Sequence, residues 1–328
     1  MHSSSIKARS TFLPLIGLLA LVCGTAAGQN YPVNTVKIIV PFPAGGVADT
    51  MARLVSQNLS ESWGQSVIVE NRPGAAQVSG VQAVTKSAPD GYTLLVTADT
   101  TVTANPLLYK KLPYDPAKEL TPIIGLCDIT PVLAINPKLP FKSVQDLIVH
   151  AKANPGKLTY GSAGIGTYLH LSMEEIKQRT GTSILHVPYK GAAPAINALV
   201  SGDISMMLIN IGSVAAHEKA GKIRILAVAG KTKPASRPSL PMVADYGLPG
   251  FATGSWFGMF GPAKMPPALV ARIHADVDKA LSAPKTRQFF ETHGFVRIDK
   301  TPAEFAQLIQ DDLKHWGALI RATGATLD

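Results

Sequence analysis

Residues 36–49 read Val36-Lys37-Ile38-Ile39-Val40-Pro41-Phe42-Pro43-Ala44-Gly45-Gly46-Val47-Ala48-Asp49, and the architecture can be built outward from this run. Its first five residues are mostly β-branched and apolar, the pattern of a buried strand. Pro41–Gly46 is a turn, because proline and glycine interrupt a ladder. Beyond it Met51, Leu54, Val55 and Leu59 share one helical face. The glycines let backbone N–H groups approach a ligand, and the helix end adds partial positive charge. Taken alone, the turn suits a structural corner as well as an anion site.

The same alternation continues. Val67–Glu70 reads as a strand, Val78–Thr85 as a helix and Thr93–Thr97 as a third strand. A second set begins near Cys127, with strands at Val132–Ile135, Leu158–Tyr160, Ile184–Val187, Ile204–Ile209 and Arg224–Ala229. Ser143 and Asp146 resemble a capping box ahead of a helix that Asn154-Pro155-Gly156 stops. After the Pro-, Ser- and Gly-rich segment 231–249, Trp256–Phe260 is a strand. Two helices follow, one carrying Leu269, Ile273, Val277 and Leu281, the other opened by Thr301, Pro302 and Glu304. Strands alternating with helices predict an α/β fold of βαβ units with mostly parallel sheets.

The N-terminus predicts export. Lys7 and Arg9 precede the apolar run Phe12–Val22 and the small residues Gly24–Gly28, the pattern of a signal peptide cleaved near residue 27 or 28. The run is too short for a membrane span, which takes roughly 20 apolar residues. Cys23, preceded by Val22, departs from a lipidation signal, which wants a small residue there. Removing residues 1–28 lowers the net charge from +9 to +7 and leaves one cysteine, Cys127. The remaining length points to two lobes: residues 29–126 plus 253–328 form lobe I, and 127–252 form lobe II. Scattered basic residues without interleaved aromatics argue against nucleic-acid binding.

Enzymatic signatures are weak. The eight histidines have no HxH or HExxH spacing and CxxC is absent, so neither a metal nor a cofactor is expected. Ser162 directly follows Gly161 and fails the nucleophile-elbow pattern. Gly161, Gly164 and Gly166 miss the dinucleotide fingerprint. Cys127 reads as a small buried residue. By contrast, two further turns match the first: Ser162–Thr167 ahead of a helix with His170, and Val187–Gly191 ahead of Pro194. All lie at strand C-terminal ends, the side on which open α/β sheets bind ligands.

These residues carry a resemblance. Val40–Gly46 with Asp49 and Arg53, Val69–Gly74, Ala88–Leu94, Gly161-Ser162 with Gly164 and Gly166, Val187–Gly191 and Ala220–Val228 occur in this order nearly end to end. The chain resembles the extracytoplasmic receptors of the tripartite tricarboxylate transporter family, the Bug proteins. The resemblance implies a type II periplasmic-binding-protein fold, a monomer whose two lobes close over a small organic carboxylate. It implies periplasmic delivery of that acid to inner-membrane transporter subunits, or to a sensor; a secreted hydrolase is the alternative class. Carried over, Phe42, Ala44, Gly45 and Asp49 would meet the ligand from lobe I, and Ser162, Gly164, Thr167 and His170 from lobe II. Departures from the family pattern at Asp99, Tyr168, Ile209 and Asn210 would form the rim that chooses the acid.

Overall fold

The computed structural model describes residues 2, 31–74, 77–234 and 237–323. The expected signal peptide and Cys23 lie outside the described residues. The first sheet is entered by β1 (Val36–Val40), α1 (Val47–Trp63), β2 (Val67–Asn71), α2 (Val78–Thr85) and β3 (Thr93–Ala98). The short helices α3 (Asp99–Val102), α4 (Asn105–Leu108) and α5 (Pro116–Glu119) lead to β4 (Leu120–Ile129). The chain then crosses into β5 (Pro131–Ile135), α6 (Val144–Ala153), β6 (Thr159–Ser162), α7 (Tyr168–Thr180), β7 (Leu185–Pro188), α8 (Ala192–Ser201), β8 (Met206–Asn210), α9 (Ile211–Lys219) and β9 (Arg224–Val228). It returns through β10 (Trp256–Pro262), α10 (Pro267–Ser282), α11 (Pro284–His293), β11 (Phe295–Arg297) and α12 (Pro302–Thr323).

Two sheets result, in the orders β11-β4-β10-β3-β1-β2 and β7-β6-β8-β5-β9. β1 pairs in parallel with β2 and β3, while the returning β10 and β11 run antiparallel to their neighbours. In the second sheet β6 pairs in parallel with β7 and β8, and β5 alone is reversed. Each sheet has its own apolar core. Ile38, Met51, Leu94 and Met259 lie in one; Leu133, Leu147, Tyr160 and Leu208 lie in the other. Burial on both faces explains why β8 reads as a nearly continuous apolar run, and β1 does so apart from the exposed Lys37.

Local signals set the helix ends. α6 carries the Ser143–Asp146 capping box, and α1 stops at Gly64 in the left-handed region. At the crossover, Thr130 N–H donates to Gly294 O (3.1 Å) and Ile211 N–H to Thr130 O (3.0 Å). Ile129 N–H donates to Ser255 O (3.2 Å), and Thr253 N–H to Ala229 O (2.8 Å). These bonds lock the two strands that join the lobes. They also set the C-terminal ends of β1 and β3 against those of β6 and β8.

Candidate ligand-binding site

The lobe I turn is fastened from beneath. Gly45, at φ +86°, donates its N–H to Asp49 Oδ2 (3.0 Å), which also accepts Arg53 Nε (3.0 Å). Asn71 Nδ2 donates to Asp49 Oδ1 (3.0 Å) and to Phe42 O (3.1 Å). Burial works against the Asp49 charge, but the bonds from Arg53, Gly45 and Asn71 prevail and hold its carboxyl below the ordinary value. Asp49 is therefore anionic, buried and turned inward, and the Gly45 N–H is already used. Ala44 and Gly46 are exposed, and the first-turn N–H groups of α1 at Val47 and Ala48 have no intrahelical acceptor. The anion-binding capacity of the turn thus moves from Gly45 to the start of α1.

The lobe II turn rests on a stack of rings. Ser162 is fully buried, and its Oγ accepts Gly164 N–H (3.2 Å) and lies 2.7 Å from His186 Nε2. Gly166 N–H donates to His170 Nδ1 (3.2 Å), and Thr167 Oγ1 donates to Gly164 O (2.7 Å). His170 stacks on His186 at 4.3 Å, which stacks on Tyr160 at 4.7 Å. The Tyr160 hydroxyl donates to Glu174, which Lys177 Nζ also binds at 2.7 and 2.9 Å. Burial, helped by the neighbouring His170, pushes His186 down to about 4, and burial lowers His170 as well. Both imidazoles are neutral near pH 7, and the Gly166 bond gives His170 its proton on Nε2. The Ser162–His186 distance is that of a nucleophile and its base, but the buried hydroxyl donates to Gly164 O (3.1 Å), which leaves His186 Nε2 as donor to Ser162 Oγ and not as its base.

The residues expected on the rim divide. Tyr168 packs against the cores of both lobes and against the cluster of Ala104, Leu108, Leu171, Trp316 and Ile320, so it stands on the seam between them. Burial and then the Asp99 charge raise its phenol above its ordinary range. Asp99 is buried and accepts the Ser255 hydroxyl; burial pushes its carboxyl well up, and Asp312 and Asp128 add to the rise. Ile209 is core, because β8 lies inside its sheet and is buried on both faces, Met206–Ile209 all joining the lobe II cluster. Asn210 is buried: its Nδ2 donates to His293 O (2.9 Å), joining β8 to the end of α11, while its Oδ1 has no hydrogen-bond partner among the described residues. A Cβ on the neighbouring Gly212 would stand 2.0 Å from that same carbonyl, so this approach requires glycine.

A cavity of about 390 Å³ lies against the crossover, lined by Asp99, Asp128, Trp256, Asp312, His315 and Trp316 among others. Of the expected site residues it touches Asp99 alone. Burial raises Asp128 to about 6 and also raises Asp312, whose carboxylate accepts the Trp256 indole N–H. The sequence reasoning missed this group. Its only signal was an acid, Asp128, inside the apolar run Ile123–Ile129.

The family model described as the tripartite tricarboxylate transporter family receptor matches residues 51–325. The chain belongs to that family. It is 34% identical over 319 residues to protein BugT of Bordetella pertussis, covering 96% of this chain and 98% of that one. A structure of R. palustris Rpa4515 with adipate superposes with a TM-score of 0.84 at 33% identity, covering 90% of this chain and 100% of that one. MatC of Rhodopseudomonas palustris, with bound malate, gives 0.81 at 30% identity over 88% and 100%. The two-lobed periplasmic-binding-protein fold expected from the sequence is thereby shown for this member of the family.

Proposed function

We propose that the protein is an exported receptor that captures a small organic carboxylate between its lobes and passes it to inner-membrane transporter subunits. What supports this reading is a pair of long helix starts, one in each lobe, both at the C-terminal ends of strands that face the crossover. α1 has 17 residues and α7 has 13, and each begins in a glycine-rich turn at the end of a strand. Each presents N–H groups and the positive end of a helix dipole, so two carboxylates at opposite ends of one molecule would be held without an Arg clamp. Adipate and malate, the acids bound in two relatives, have this two-ended form. Because Gly45, Gly164 and Gly166 give their N–H groups to Asp49, Ser162 and His170, the contacts would come from the first turns of α1 and α7. Bridging waters would extend them at little cost.

One contact favours the other class, a secreted hydrolase: Ser162 Oγ beside His186 Nε2. Its burial weighs against that reading, since an acyl group could reach Ser162 only if the turn were displaced. The discriminating experiment is a thermal-shift screen of the purified protein against dicarboxylates, tricarboxylates, acidic amino acids and aromatic acids. A ligand at 100 times its Kd should stabilise by about 2.7 kcal/mol. Stabilisation by none of these acids, together with turnover of an ester that Ser162→Ala abolishes, would replace the receptor with an enzyme.

A further inference from the structure

Apart from Lys7 and Arg9 of the expected signal peptide, the net charge of the chain lies in lobe II, counted from Thr130 and not from the expected Cys127 because β4 of the first sheet runs to Ile129. Residues 130–252 hold 13 Lys and Arg against 6 Asp and Glu, a net of +7, whereas residues 31–129 and 253–328 together hold 16 of each. Within lobe II the excess gathers at one end. The C-terminal ends of β6 and β8 meet the crossover, so the starts of β6, β7, β8 and β9 and the end of β5 form the opposite edge. Lys138 and Lys142 follow β5, Lys157 precedes β6, Lys222 precedes β9, and Lys152 and Lys219 end α6 and α9. All six are exposed, and none forms an ion pair among the described residues.

Carboxylates near this end, Asp146 beside Lys142 together with Asp203 and Glu218, offset the six lysines only in part. Asp146 accepts the N–H groups of Lys142 and Ser143 as a helix cap, Asp203 accepts the Ser201 hydroxyl, and Glu218 pairs with Arg237. Arg224 donates to the carbonyls of Pro137, Leu139 and Phe141 at 3.2, 3.3 and 2.9 Å, holding the loop that carries Lys138 and Lys142. Two large apolar side chains also stand out here, Val149 at 56% and Leu185 at 54% exposure. Long unpaired lysines spread over several loops, with apolar residues among them, suit a broad anionic surface better than a single buried counter-ion.

We propose that the end of lobe II opposite the cleft docks on an anionic phospholipid surface. The face holds the receptor by lobe II and leaves lobe I, which carries no net charge, to swing during closure. Its attraction is electrostatic and is screened by salt, the Debye length being about 10 Å at 0.1 M. It does not depend on which acid the cleft accepts.

The test is co-sedimentation of the purified protein with vesicles of phosphatidylglycerol and phosphatidylethanolamine, with phosphatidylcholine vesicles as the neutral comparison. Binding is expected to the anionic vesicles alone, weakening at least tenfold between 20 and about 200 mM salt. The triple variant Lys138→Glu, Lys142→Glu, Lys222→Glu should lose it, while Lys264→Glu, Lys279→Glu, Lys285→Glu on lobe I should keep it. Acid-induced thermal shifts should be unchanged in both, which separates failure here from failure of the receptor reading. No binding to anionic vesicles overturns the proposal, as does equal loss in both triple variants. So does capture of an acidic peptide by the Lys138–Lys142 face without vesicle binding, which would assign the face to a protein partner.

Discussion

Gly45 N–H donates to Asp49 Oδ2 at 3.0 Å, so the carboxylate that the sequence offers to the cleft is spent holding the turn that precedes it. This relationship inverts the role of Asp49. An acid at a carboxylate site would repel its ligand, but here Arg53 and Asn71 absorb the charge and the helix start stays open.

Asp49→Ala should therefore weaken acid binding by roughly tenfold or more, through disorder of the turn and not through a lost ligand contact. It should also lower stability by about 1–3 kcal/mol, the range for removing a hydrogen-bonded charged group. Because the folded pKa is depressed, the contribution is complete above about pH 4, the ordinary carboxyl value, and fades as pH falls through the folded pKa. Calorimetric titration and denaturant unfolding at pH 7 and pH 3 check both parts. An unchanged affinity would contradict the role assigned to Asp49.

The stacked imidazoles predict a different acid sensitivity. His186 titrates near 4, below the roughly 6.5 of an unfolded chain. Stability from keeping it neutral is present above about pH 6.5 and is lost as pH falls towards 4. Proton NMR should show the His186 imidazole still neutral at pH 5. His186→Phe should flatten the thermal stability curve across this window.

The crossover acids act in the opposite sense. Asp128 is raised to about 6, so its favourable contribution is present below the ordinary carboxyl pKa and is lost as pH rises through 6. Asp128→Asn should raise stability at pH 7.5 by about 1–3 kcal/mol, the upper bound being the worth of two pKa units. At pH 4 it should be neutral. Paired melts at the two pH values decide it, and equal Tm changes at both would contradict the prediction.

At the seam between lobes, Gly212→Ala places a Cβ 2.0 Å from His293 O in the present backbone. The chain must open there, at about 1–3 kcal/mol as for other overpacked sites. The Asn210 bond to the same carbonyl would be strained with it. Small-angle scattering should report a more open molecule and titration a weaker acid affinity, with secondary structure retained by circular dichroism.

Of the four residues expected on the rim, Tyr168 is the one that packs against the cores of both lobes. Tyr168→Ala should change the order of acids in a thermal-shift screen, favouring bulkier ones. An unchanged order, with only a uniform drop in Tm, would leave Tyr168 as packing alone.

Most strands, the long helices and the positions of the three turns were legible because each rests on local chemistry, whereas β4, β11, α9, α11 and the short helices α3–α5 were not picked out. Ser143 and Asp146 announce α6, and the β-branched run Val36–Val40 announces β1. The six-stranded order of lobe I was less legible, since β10 enters between β3 and β4 from more than a hundred residues away. Ile209 illustrates the limit within one strand. Its place on the rim came only from a departure from the family pattern, and its burial in the lobe II core, opposite Val132 on β5, is set by the packed fold.

What the chain determined by itself is the repeated unit of strand, glycine-rich turn and helix, because proline, glycine and β-branched residues restrict their own backbone. What the tertiary structure decided is which donors in those turns remain free. Gly45 loses its N–H to a residue four positions away, but that residue is held by Asn71, 22 positions on, and Ser162 is held by His186, 24 positions on. Asn210 is claimed by His293 from 83 positions away. Most buried polar groups find partners wherever the fold supplies them, Asn210 Oδ1 being an exception among the described residues, so the donors that remain for a ligand are what this competition leaves over.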